Sequence, residues 1–142
     1  MSAKGKPDLV IFDPPYFDKK AGDYDEKSIS GLSRNDYLGF LETFFARMKP
    51  HVKKKTRLAF INADWRDFQN TPANAETREH AILIDDYLGI LAAAGWEHTH
   101  IIQAPLSPER FQANVVAAMQ KSRILGVTSR YVVVARKRAD SR

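Results

Sequence analysis

Asp13, Pro14, Pro15 and Tyr16 stand directly after an apolar run, Leu9-Val-Ile-Phe12, with no spacer. The stretch from Asp8 to Phe12 reads as a short buried strand. Two consecutive prolines lock φ twice and remove two backbone donors, so the strand must stop and the chain must turn stiffly. An acid, a rigid backbone and an aromatic ring are thereby held at the carboxyl end of a strand, where open α/β sheets bind ligands. Asp13 offers a hydrogen-bond acceptor, and the carbonyls around Pro14 and Pro15 offer more. Tyr16 and Phe17 offer flat faces for stacking. The combination suits a planar group bearing an exocyclic amine, such as adenine N6 or cytosine N4. Acceptors aimed at the amine protons favour its pyramidal, developing-ammonium form, which is oxyanion-hole electrostatics with the sign reversed. An electrophilic methyl group held in line with the nitrogen lone pair would complete a transfer by proximity. The aromatic ring would hold a base swung out of its stack.

The run Asp13-Pro14-Pro15-Tyr16 after an apolar strand resembles the catalytic motif of the DNA amino-methyltransferases. Those enzymes methylate adenine N6 or cytosine N4 with S-adenosylmethionine. The resemblance implies that Asp13 binds and polarises the amine, that Pro14 and Pro15 fix the carbonyl geometry, and that Tyr16 stacks on the flipped base with Phe17 flanking it. It implies DNA as partner, and adenine N6 as the favoured target for an acid at position 13. Sister families use related corners on RNA or on protein amides. Two other readings stay open. The four residues also read as a strand ending in a Pro-Pro turn, with Asp13 capping something local. The chain also reads as a nucleic-acid-binding subunit or remnant without catalysis.

The 142 residues suffice for one domain, 1–142, with its own core. A hydrophobic share of 44% and a charged share of 27% are those of an ordinary globular protein. No apolar run reaches the length of a membrane span, and the first residues, Met-Ser-Ala-Lys-Gly-Lys, read as lacking a signal-peptide core. With no cysteine there is no disulfide, thiolate metal site or cysteine nucleophile, which fits a reducing cytoplasm. Methyl transfer would therefore be direct. His98 and His100 alternate on an expected strand and would share a face, but no third ligand accompanies them, so they read as surface histidines. The net charge of +5 favours a polyanionic partner. Lys53, Lys54 and Lys55 with Arg57 form one basic cluster, and Arg136, Lys137 and Arg138 with Arg142 another. Each reads either as a phosphate contact or as a solvated surface. Lys19 and Lys20, just past the acidic-aromatic corner, read as phosphate contacts.

The elements that must position this corner follow in chain order. Residues 17–33 are polar and aperiodic, a length of loop that usually carries function. Ser33 and Asp36 read as caps of a helix over 34–49, with Tyr37, Leu38, Leu41, Phe44, Phe45 and Met48 as its apolar stripe. Arg57 to Asn62 reads as a second strand, and strand–helix–strand implies a parallel unit. Asp64, with Trp65 and Arg66, follows that strand at the same sheet edge as Asp13. The family often places an acid-containing stretch there, so Asp64 and Arg66, and Asn62 beside them, are expected in the substrate pocket. Asp64 reads equally as a helix cap, and Trp65 as core. Residues 67–79 are irregular, and His80 to Ala94 reads as a helix closed by Gly95. Trp96 to Ala104 reads as a third strand, Glu109 to Lys121 as a short helix, and Ser129 to Lys137 as a strong β run. The phrase Arg130-Tyr-Val-Val-Val-Ala-Arg-Lys137 resembles the family's last strand, which runs reversed between its neighbours.

The expected architecture is α/β, the second half of a Rossmann-like class I methyltransferase sheet, mixed, with an antiparallel last strand. The half expected to hold S-adenosylmethionine is not seen. The seven glycines never form Gly-x-Gly, and none stands between a strand and a helix start as a cofactor turn requires. Some members of the family place the catalytic half first in sequence. The chain therefore reads as a catalytic half. Its first strand is left as an open edge, where self-association or a partner supplying the cofactor half is expected.

Overall fold

The computed structural model describes residues 5–15, 32–66, 81–106, 112–122, 127 and 129–139. The first strand, β1 (Leu9–Phe12), is followed by α1 (Arg34–Met48), a single 3₁₀ turn (Lys49–His51) and β2 (Arg57–Ala63). Two short strands, β3 (Trp65–Arg66) and β4 (Ala81–Ile82), precede α2 (Ile84–Ala93) and β5 (Trp96–Pro105). The described residues end with α3 (Ala113–Ser122) and β6 (Ser129–Lys137). The fold is mixed α/β. The main sheet has the order β1-β2-β6-β5. β1 and β2 are parallel, and β6 is antiparallel to both β2 and β5. The final β run is thus reversed and inserted between its neighbours, as its resemblance implies.

Each element forms for a local reason and then buries one face. The Ser33 hydroxyl oxygen accepts the Asp36 N–H at 3.2 Å and starts α1. Tyr37, Leu41 and Phe45, spaced by four, are buried along one side of that helix. β2 alternates, burying Leu58, Phe60 and Asn62. Tyr37, Leu41, Phe45, Leu58 and Phe60 meet Tyr87 and Leu91 of α2, Trp96 of β5, and Val133 and Ala135 of β6 in one core. Gly95 takes φ 87° just past α2, a left-handed conformation suited to glycine at a helix end.

The opposite face of the sheet is different. Leu9 is 55%, Ile11 65% and Ile102 53% exposed. By register they share that face with Ala59, Ile61, Val132 and Val134, none of which joins the core cluster. The sheet is therefore covered on one side only among the described residues, with β1 as a free edge.

Four expectations need correction. The strand read over Asp8 to Phe12 is not buried: Leu9 and Ile11 are exposed and Val10 and Phe12 only half-buried, because β1 is an edge strand covered on one face. The helix read over His80 to Ala94 starts at Ile84, because Ala81 and Ile82 pair as β4 against Arg66 and Trp65. Tertiary pairing of a two-residue strand left no periodic signal in the sequence. The helix read over Glu109 to Lys121 is observed over Ala113–Ser122, and residues 107–111 lie outside the described residues. His98 and His100 do not share a face. A register shift between them sets His98 opposite Ala135 and His100 opposite Val134, consecutive residues of β6 that point oppositely. Among the described residues no group of His, Cys, Asp or Glu could hold a metal ion, and no helix is long and apolar enough to cross a membrane.

Candidate functional site

The carboxyl ends of β1 and β2 lie side by side, since Phe12 pairs with Phe60. Phe12 fixes the approach to the corner. Its ring stacks on Phe44 at 4.4 Å and on Phe60 at 5.9 Å, and meets Phe45 edge-on at 5.7 Å. Such ring pairs contribute about 0.5–1.5 kcal/mol each beyond their burial. Asp13 then emerges exposed, Pro14 is buried, and Pro15 is half-buried. Among the described residues no hydrogen bond or ion pair engages the Asp13 carboxylate. Its acceptor oxygens face outward from a rigid stem. Tyr16, Phe17, Lys19 and Lys20 lie outside the described residues.

Two tyrosines latch the strand ends to the helices that follow. The Tyr37 hydroxyl donates to the Pro15 carbonyl at 2.9 Å. The Tyr87 hydroxyl donates to the Ala63 carbonyl at 3.2 Å. Each tyrosine is 2% exposed and is the fourth residue of its helix. Arg34, the first residue of α1, ties the two helix starts together. Its Nε donates to the Ala81 carbonyl at 2.7 Å, and its guanidinium pairs with Asp86 at 3.3 Å. Asp86 in turn accepts the Leu83 N–H at 2.9 Å. Sequence reasoning placed both tyrosines in apolar stripes and missed Arg34. The available signal was positional: a phenol one turn into a helix that follows a strand reaches back to the strand end.

Asp64 stands where expected, at the carboxyl end of β2, and there it does the work of a cap. Its Oδ1 accepts the Ile84 N–H at 3.0 Å, at the start of α2. Burial pushes its carboxyl above the usual range, the Arg66 guanidinium and the Ile84 N–H pull it down, and Asp85 and Asp86 push it up. Arg66 is half-buried on β3 opposite Ala81, close enough for its charge to act on Asp64. Asn62 is 2% exposed, its Nδ2 donating to the Phe60 carbonyl at 3.4 Å. Trp65 packs against the core rather than standing free as a stacking platform.

Lys53, Lys54 and Lys55 are not brought to this corner. They precede β2, and Lys53 pairs with Asp8 at 2.7 Å before β1 begins. That hydrogen bond and the lysine charge hold the Asp8 carboxyl below its usual range. Asp8 and Asp13 are separated by five steps of extended chain, about 16 Å.

S-adenosylmethionine, implied by the resemblance, does not fit the residues described. β1 and β2 run into Asp13-Pro14-Pro15 and into Asp64, which leads directly to β3, and neither stretch contains glycine. Gly39 and Gly89 are inside α1 and α2, and Gly95 follows a helix rather than preceding one. Among the described residues no turn lets a backbone approach a ligand at a helix start as cofactor-binding loops do. No known protein family, curated protein or solved structure matches the chain.

Proposed function

We propose that the chain is the amine-binding part of a DNA amino-methyltransferase, acting on an exocyclic base amine with adenine N6 favoured. The observation that carries the reading is the Asp13-Pro14-Pro15 corner: an exposed carboxylate on a stiff stem at the carboxyl end of a parallel strand. The sheet order lends support. Three strands of one direction with a reversed strand inserted between the last two is the arrangement expected for the second half of a Rossmann-like methyltransferase sheet. In this reading Asp13 and a neighbouring carbonyl accept the amine protons, and Tyr16 stacks on the base. Desolvated acceptors aimed at the amine favour its developing positive charge. Asp64 and Arg66 would border the base from the end of β2. The basic residues, including Lys19, Lys20 and Lys53 to Lys55, would contact phosphates.

The described residues offer no cofactor cradle, and in this reading the methyl donor is held by a partner or by an assembly of the chain. The open edge of β1 is the place for it, through self-association or a partner. A second reading is favoured by the same observation: binding of nucleic acid without catalysis. Calorimetric titration of the chain with S-adenosylmethionine separates them at the level of the chain. Binding means that the chain, or an assembly of it, holds the donor. No binding directs the search to a partner. The proposal itself is tested by transfer of labelled methyl groups to adenine-containing DNA by the assembled enzyme. Asp13→Ala abolishes transfer if the reading holds, and undiminished turnover removes the acid from the mechanism.

A further inference from the structure

One side of β1 is bonded to β2, and the other side meets no strand among the described residues. The Asp8 carbonyl accepts the Arg57 N–H at 2.9 Å as the chain enters the strand. Backbone groups point alternately to the two sides of a strand, so Val10 and Phe12 turn theirs to β2. Leu9 and Ile11 therefore turn their N–H and C=O groups outward. No charge, proline or register shift protects the edge within the strand. The two ends of β1 differ in charge. Lys6 and the Lys53–Asp8 pair stand where the chain enters. The Asp13 carboxylate stands where it leaves, with no hydrogen bond or ion pair among the described residues.

These features select one occupant and one orientation. The side chains of Leu9 and Ile11 lie on the uncovered face of the sheet, 55% and 65% exposed. A second copy added antiparallel, by a two-fold axis perpendicular to the sheet, keeps both uncovered faces on the same side. Outward-pointing residues then meet outward-pointing residues. Leu9 of each copy faces Ile11 of the other as a hydrogen-bonded pair, and the two Val10 residues face each other as the closer, non-hydrogen-bonded pair. Each Asp13 is carried to the basic end of the other copy, where Lys6 stands. Parallel addition would set the two Asp13 carboxylates together and turn the uncovered faces to opposite sides. An antiparallel pairing centred on Ile11 would set apolar Leu9 against Asp13. We propose that β1 is a dimerisation edge, to which a second copy of this chain adds antiparallel with the two-fold axis at Val10. Occupant, direction and register are thereby fixed, and none of them depends on the methyl-transfer reading.

Two measurements test the pairing. Hydrogen exchange of the wild-type chain, followed by NMR, reads the outward groups. The Leu9 and Ile11 amides should exchange at least about tenfold more slowly in a concentrated sample than in a dilute one, while Val10 and Phe12, already bonded to β2, change far less. Disulfide trapping reads the register, in a chain with no cysteine of its own. Leu9→Cys, Val10→Cys and Ile11→Cys are oxidised separately, and cross-linked dimer is followed on a non-reducing gel. Exposure alone makes Ile11→Cys the fastest, since Ile11 is exposed and Val10 half-buried. The proposed pairing makes Val10→Cys the fastest, by at least about fivefold, because a non-hydrogen-bonded pair sets its Cα atoms about 4.5 Å apart, within disulfide reach. Exchange at Leu9 and Ile11 that ignores concentration overturns the dimer. Trapping no faster at Val10 than at Leu9 or Ile11 overturns the register. If Val10→Cys fails to fold, the exchange measurement still decides, because it uses the wild-type protein.

Discussion

Asp64 offers the sharpest check on whether the end of β2 is held as described. Its carboxylate does one thing that a neutral amide can also do, which is accept the Ile84 N–H at 3.0 Å. It also carries a charge in a half-buried position, and burial pushes its carboxyl up. Two variants separate these. Asp64→Ala removes the acceptor and leaves a helix-start donor without it, a loss of about 1 kcal/mol within a range of about 0.5–2. Asp64→Asn keeps an acceptor oxygen and discards the charge. For a chain of this size about 1 kcal/mol corresponds to a melting-temperature change of about 4 °C. The pH dependence has a definite sign. A carboxyl whose folded pKa lies above its unfolded value binds more protons in the folded state across the interval between them. It supports the fold fully below the unfolded pKa, and that support is lost as pH rises through the folded pKa. At acid pH below that interval, Asp64→Asn should therefore match the wild-type protein. At neutral pH it should be the more stable, because the buried charge is gone. Asp64→Ala should fall below Asp64→Asn at both. Urea unfolding followed by circular dichroism at the two pH values reads all of this. An Asp64→Asn protein less stable than wild type at neutral pH would falsify the account, since it would mean that the charge on Asp64 favours the fold.

Asp13→Ala, at an exposed residue that no described partner engages, should leave unfolding free energy within about 0.5 kcal/mol of wild type, even as it removes methyl transfer in the assembled enzyme; a large loss of stability would assign the acid a structural role. Phe60→Ala should cost about 3–5 kcal/mol by calorimetry or urea unfolding, because Phe60 is 0% exposed and sits between Phe45 at 5.0 Å and Tyr87 at 5.4 Å. Light scattering of the concentrated chain should show association that Ile11→Lys weakens, since β1 is a free edge with Ile11 65% exposed and carries no charge or proline within the strand. A wild-type chain that stays monomeric at high concentration would remove that expectation.

The two edges of the main sheet show why the β1 edge is singled out. β5, at the other side, contains a register shift at His98 and His100, polar side chains at Glu97 and Thr99, and a proline at its end. Those are the features that discourage strand addition. β1 has none of them. Its four residues are all apolar, and alternate ones are exposed.

Much of this protein can be read from local rules acting within short windows. The Pro-Pro stop after Phe12, the four-residue spacing of Tyr37, Leu41 and Phe45, the Ser33 cap, the glycine after α2 and the β-branched run in β6 each depend on neighbours in sequence, and each is found where those rules put it. The corner residues could be named for the same reason, because a strand end and a proline pair are local facts. Tertiary structure decided the rest. Whether Asp64 caps a helix depended on Ile84, twenty residues away across the chain. Whether His98 and His100 share a face depended on a register shift set by pairing with β6. Ala81 and Ile82 form a strand because Trp65 and Arg66 lie against them. Tyr37 and Tyr87 look like any other apolar-stripe residues until their hydroxyls meet the carbonyls at two strand ends. The sequence by itself determines which groups are rigid, apolar or charged, since these are properties of residues and their immediate neighbours. Which polar atom meets which is a property of distances in the folded chain, and packing settles it.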